Sequence, residues 1–178
     1  AFVNAGSEVS PAMRVRSSQG RLAAFQGGPR GTGTFQKREL LPRLKEAEAG
    51  LRHVIFVDAA HFVFGAFLGY LWCAMRLFVK TGSGRQRLNV LGAISYGTGK
   101  FVSVVNEGSM GAVQVCELLR KIRSQCRKPI TVVMDNAAYQ RCRLVQDLAA
   151  SLDIELLYLP AYSPNLNLIE RVWKLVKK

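Results

Sequence analysis

Two short apolar runs that each stop at an aspartate constrain this chain more than any other feature. Val54-Ile55-Phe56-Val57 leads into Asp58, and Ile130-Thr131-Val132-Val133-Met134 leads into Asp135. A continuous β-branched run without polar alternation is what a strand buried on both faces requires. Such a sheet needs helices on both of its sides. Between the two runs, Asn89 to Ser95 and Phe101 to Asn106 read as strands joined by the Gly97 to Lys100 turn, a hairpin. Ala112 to Arg127 and Tyr139 to Leu152 have helical spacing, the latter through Leu144, Val145, Leu148 and Ala149, and Ile154 to Leu159 is a last strand. After a loop at Pro160 to Asn165, Asn165 caps a final helix whose apolar positions are Leu166, Ile169, Trp173 and Val176, with Glu170 inside it. Upstream, Leu40, Leu41, Leu44 and Ala47 suit a short amphipathic helix that Gly50 stops. This order describes an α/β fold, a mixed sheet flanked by helices in which the first and fourth strands can run parallel. Ligands of such sheets bind at the carboxyl ends of the strands, where neighbouring strands would present Asp58 and Asp135 side by side.

With 178 residues and 49% hydrophobic content, the chain has the length and composition of one sizeable domain. Its 25 Lys and Arg against 12 Asp and Glu give a net charge of +13, which favours a polyanionic partner. An anionic membrane competes with nucleic acid for that role, but the longest apolar candidate, Ala59 to Phe78, is interrupted by glycines, His61 and Arg76, so no span is expected. The start of the chain lacks the pattern of a secretory signal, so a reducing compartment is expected. Cys73, Cys116, Cys126 and Cys142 form no C-x-x-C pair and read as buried free thiols rather than zinc ligands. Residues 1–34 carry Gly and Ser clusters and scattered arginines, including Arg14, Arg16, Arg21 and Arg30, and read as a flexible basic tail. Lys80, Arg85 and Arg87 suit a DNA-contacting loop or plain solvated charge equally well.

Two carboxylates held close together raise each other's pKa unless a cation sits between them. Mg²⁺ and Mn²⁺ prefer oxygen ligands, and a pair of such ions about 3.5 to 4 Å apart activates an attacking oxygen and stabilises a leaving one in phosphodiester chemistry. Asp58, Asp135 and Glu170 can hold such a pair, with Asp58 bridging the ions. Each residue also has a bland reading. A strand-ending Asp is often a turn former, and Glu170 suits an i, i+4 salt bridge to Lys174. His61, in the apolar stretch His-Phe-Val-Phe, reads as a packed structural histidine rather than a ligand. Trp72 and Trp173 read as core residues rather than base-stacking platforms.

The segments Val57-Asp58-Ala59-Ala60-His61-Phe62, Met134-Asp135-Asn136-Ala137-Ala138-Tyr139 and Leu159-Pro160-Ala161-Tyr162-Ser163-Pro164-Asn165-Leu166-Asn167-Leu168-Ile169-Glu170 resemble the DDE transposases of the mariner-related insertion-sequence 630 group. Between Asp135 and Glu170 lie 34 residues, positions 136–169, the interval that names this group's motif. The resemblance covers about Phe35 to Lys178 and implies a ribonuclease H-like DDE catalytic domain at 35–178. By the motif match, Asp58, Asp135 and Glu170 become the catalytic, metal-binding triad, holding two Mg²⁺ or Mn²⁺ ions, with Asn136 and the Pro160 to Asn167 loop in support. Family members bind terminal inverted repeats, cut DNA with Mg²⁺-activated water and direct the freed 3′ hydroxyl at a TA target. The implied partners are therefore transposon inverted repeats, TA-containing target DNA and a second copy in a homodimer assembled on DNA. The implied setting is the bacterial cytoplasm, at the nucleoid.

The chain departs from the family pattern at both ends. Family members carry an N-terminal helix-turn-helix region, whereas residues 1–34 lack helical periodicity, and further sequence is expected behind the final helix. Two other functions stay open at this level: a ribonuclease H-like nuclease without strand transfer, and a decayed, non-catalytic basic DNA-binding fragment. The Tyr162-Ser163-Pro164 loop argues against the first. Three carboxylates without cations at a DNA-binding surface argue against the second, because they would weaken phosphate contacts.

Overall fold

The computed structural model of the chain describes residues 32–64, 86–160 and 166–176. Its strands are β1 (His53–Phe64), β2 (Gln86–Ser95), β3 (Phe101–Asn106), β4 (Ile130–Met134) and β5 (Ile154–Tyr158), forming one sheet in the order β3-β2-β1-β4-β5. The hairpin strands β2 and β3 are antiparallel, and β2 is antiparallel to β1. β4 runs parallel to both β1 and β5. The helical segments are α1 (Thr32–Phe35), a π-helical stretch Gln36–Leu40, α2 (Leu41–Glu48), α3 (Ala112–Gln125), α4 (Arg143–Ser151) and α5 (Glu170–Val176).

Side-chain alternation along β1 divides the core into two layers. Ile55 and Val57 join Val132 and Met134 of β4 against Val115, Leu118, Leu119 and Ile122 of α3 and Val145 and Ala149 of α4. Val54, Phe56 and Ala60 point the other way, onto Leu40 and Leu44 and onto Leu166, Ile169 and Trp173 around α5. Every residue of β4 is buried, as its unbroken apolar sequence requires. The hairpin turn uses Gly97 (φ +84°) and Gly99 (φ +69°), left-handed conformations that cost glycine little, and Gly50 (φ +73°) follows α2 as expected.

Opposite the carboxyl ends of the parallel strands, Glu155 of β5 gathers hydrogen bonds from three other segments. It accepts hydrogen bonds from Arg43 of α2, from Arg52 Nη1 at 2.8 Å and from Thr131 Oγ1 of β4 at 2.7 Å. Arg52 Nε also reaches Glu46 Oε2 at 2.6 Å, tying α2 to the start of β1.

Several elements differ from the sequence reading. β1 does not stop at Asp58 but runs to Phe64, because β2 goes on pairing with it as far as Gln86. Tyr139 to Cys142 do not begin a helix. The N–H groups of Gln140 and Arg141 bond Ala137 O in a turn, and α4 starts at Arg143. The last helix begins at Glu170, and Val176 is exposed while Leu166, Ile169 and Trp173 are buried. His61 is exposed rather than packed, with Nδ1 hydrogen-bonded to Asn89 Oδ1 across the β1–β2 ladder. Cys116, Cys126 and Cys142 are free thiols, but only Cys116 is buried. The expectations for Arg14, Arg16, Arg21, Arg30, Trp72, Cys73, Lys80, Arg85 and Asn165 fall outside the described residues. Among the described residues, no helix is long and apolar enough to cross a membrane.

Candidate active site

The register of β1 on β4 levels the two aspartates. Their last parallel pair is Phe56 with Val133, and Asp58 and Asp135 each follow it by two residues. Asp135 leaves the sheet where β4 ends, whereas Asp58 stays within β1, opposite Gly92 of β2. α5 carries Glu170 at its first residue, in a turn where Glu170 N–H meets Asn167 O at 3.3 Å.

The electrostatics bring the three carboxylates into one neighbourhood. Burial pushes Asp58 up to about 6, the charge of Asp135 and, more weakly, of Glu170 adds to that, and hydrogen bonds from the Ala59 N–H and the Trp173 indole oppose it. Asp135 is raised by burial against a hydrogen bond from Asn167. Glu170 is raised by burial and by Asp135, against Lys174. Among the described residues, no ion pair within 4.0 Å reaches any of the three, so the Glu170–Lys174 bridge suggested by helical spacing is not closed. Nor do three His, Cys, Asp or Glu side chains among the described residues converge as a ready metal shell. The carboxylates interact at electrostatic range around one end of the sheet. An all-oxygen donor set in which the charge of Asp135 raises both Asp58 and Glu170 fits a hard divalent cation, which would relieve that repulsion.

Three further residues shape the site. Trp173 donates from Nε1 to Asp58 Oδ2 at 3.0 Å. Asn167, almost fully buried, donates from Nδ2 to Val57 O at 3.2 Å and also bonds Asp135, joining β1 to the end of β4. Tyr139 is raised first by burial and then by the charges of Asp58 and Asp135, which places its phenol near both. Tyr139 also lines an open cavity of about 380 Å³ together with His61, Arg87, Asn89 and Glu107. Asn136 is exposed. Sequence reading placed Asn167 only within a supporting loop and Trp173 only in the core. The one signal for the slot that holds Trp173 was Gly92, a glycine inside a strand, which marks close approach of another group.

Residues 44–178 match the profile described as DDE superfamily endonuclease. Over 99 residues the chain is 32% identical to the insertion element IS630 uncharacterized 39 kDa protein of Shigella sonnei, a match covering 54% of this chain and 29% of that protein. It thus spans under a third of that relative. Among solved structures, the Mos1 transposase paired-end complex with left transposon end is similar at a TM-score of 0.53 and 13% identity, over 99% of this chain and 51% of that one. The simian T-cell lymphotropic virus intasome in complex with PP2A regulatory subunit B56 gamma is similar at 0.55 and 15%, over 70% and 38%. At such identities the likeness shows the fold, which is the ribonuclease H-like one that the motifs implied. A profile match over most of the chain shows more: the chain belongs to the DDE superfamily endonuclease family.

Proposed function

We propose that this chain is the catalytic domain of a transposase, in which Asp58, Asp135 and Glu170 hold Mg²⁺ or Mn²⁺, as a pair of ions, to cut DNA at transposon ends and join it to a target. The observation that carries this reading is the levelling of Asp58 and Asp135 by the β1–β4 register, with Glu170 close enough to raise Asp58 and, among the described residues, no basic side chain in an ion pair with any of them. Bound divalent ions supply Lewis acidity to both the attacking and the leaving oxygen of a phosphodiester. The chain's own residues hold that centre. Trp173 bonds the carboxylate of Asp58 and Asn167 that of Asp135, and Asn167 also ties Asp135 to the backbone of β1. The net charge of +13 suits a DNA partner. Terminal inverted repeats as that DNA, a TA-containing target and a homodimer assembled on it extend the reading along the motif resemblance, and the insertion-element relative fits a transposon end as the substrate.

The test is Mg²⁺-dependent cleavage of inverted-repeat DNA by wild type and Glu170→Gln. The amide keeps the shape of the side chain and removes its charge, so cleavage should fall by orders of magnitude while salt-sensitive DNA binding and thermal melting persist. An outer-face salt bridge would cost only about 0.5 kcal/mol and leave cleavage intact. Equal cutting by both proteins therefore removes Glu170 from the site. Joined products beside nicks support strand transfer, whereas nicks alone reduce the reading to hydrolysis.

A further inference from the structure

Trp173 does more than fill the core beneath the sheet. Its ring lies over Gly92, the β2 residue paired with Asp58, and a Cβ built at Gly92 would stand 2.7 Å from two ring carbons of the indole. No side chain therefore fits at position 92 without moving the ring. Phe62 and Phe101 hold the indole edge-on, with centroids 6.2 and 6.0 Å away. Locked in this way, the ring presents its one polar atom, Nε1, to Asp58 Oδ2 at 3.0 Å. Trp173 is 7% exposed, and an indole N–H largely shut away from water needs an acceptor.

We infer that Trp173 is a positioning residue, whose indole ring, seated in the slot left by Gly92, aims its N–H so as to fix the orientation of the Asp58 carboxylate relative to Glu170 for divalent-metal binding. Trp173 and Glu170 share α5, three residues apart, so docking the indole sets the helix that carries the third carboxylate and the rotamer of the first in one contact. The indole and the Ala59 N–H together take two of the carboxylate's roughly four lone-pair sites and leave the others for a cation. The inference rests on the metal-centre reading of Asp58, Asp135 and Glu170.

The experiment uses the full chain, ¹⁵N-labelled at its indoles, with Mn²⁺ as the probe. In metal-free protein, the indole N–H resonance that vanishes in Trp173→Phe should shift markedly in Asp58→Asn, where the charged acceptor is gone. An unmoved resonance overturns the inference whatever the protein does with metal. By calorimetry, Trp173→Phe should bind Mn²⁺ roughly tenfold more weakly than wild type, the scale of a lost hydrogen bond to a charged group. A melting temperature near that of wild type shows that packing is kept. Gly92→Ala is the second variant. It keeps the indole but displaces it, and should weaken Mn²⁺ binding alike while shifting the same resonance. Wild-type affinity in both variants overturns the inference. Absence of Mn²⁺ binding in wild type itself overturns the metal-centre reading instead, and the resonance arm then still decides whether the indole holds Asp58.

Discussion

Asp58 keeps its proton up to about pH 6 in the metal-free fold, whereas in the unfolded chain it loses that proton near the ordinary value of 3.8. Between those limits the folded state binds more protons, so stability falls as pH rises from about 4 to about 6 and stays lower above it. Asp58→Asn carries no charge to bury. In chelator at pH 7 it should be more stable than wild type, on the order of 1–2 kcal/mol once partial exposure is discounted, with the advantage gone below about pH 4. Scanning calorimetry at the two pH values checks this, and identical melting at pH 7 would contradict it. Added Mg²⁺ should stabilise wild type alone, because ligand binding stabilises only a fold that has its site. At this scale the motif picked out Asp58, Asp135 and Glu170 as candidates, and the fold sets them within electrostatic reach of one another. The sequence was unreadable where orientation decides. Nothing in the spacing of Trp173 says where its N–H points, and the apolar neighbours of His61 concealed that its side chain emerges on an exposed part of β1.

The ends of elements were harder to read than their existence. β4 and the β2–β3 hairpin stand where their apolar runs and glycines put them. β1 extends beyond Asp58 because a strand persists for as long as a neighbour offers a ladder, and that neighbour, β2, is remote in sequence. The cluster at the opposite end was equally invisible, since it joins Arg43, Arg52, Thr131 and Glu155 from four separate segments. Its hydrogen bonds hold Glu155 below the usual carboxylate range, chiefly through Arg43. A depressed pKa adds stability that is present above the unfolded value and lost as pH falls through the folded one. Glu155→Gln should therefore lower stability near pH 7 by about 1–2 kcal/mol, a figure that allows for its partial exposure, and by less as the pH is brought below about 4. Chemical denaturation at both pH values measures it. A loss that does not depend on pH would show that the charge is immaterial and that only the hydrogen-bond geometry counts.

For the whole molecule, the mixed sheet with its parallel first and fourth strands was legible because double burial demands helices on both sides, and the chain supplies them in alternation. The two-sided core then places the basic chain's carboxylates at one end of the sheet and the Glu155 cluster at the other. The parallel pairing has a kinetic consequence. The hairpin closes between neighbouring segments, Asn89 to Asn106, whereas β1 meets β4 only when His53 reaches Ile130, so the second step costs about 1 kcal/mol more loop entropy. Asp58 and Asp135 thus begin to repel each other only once most of the sheet is in place, and the acidic centre is assembled late in folding. After dilution from denaturant, the fluorescence of Trp173, followed in a Trp72→Phe background, should recover its native value in a phase slower than the backbone circular dichroism. Coincident traces would mean that the chain closes its longest crossover as early as its shortest turn.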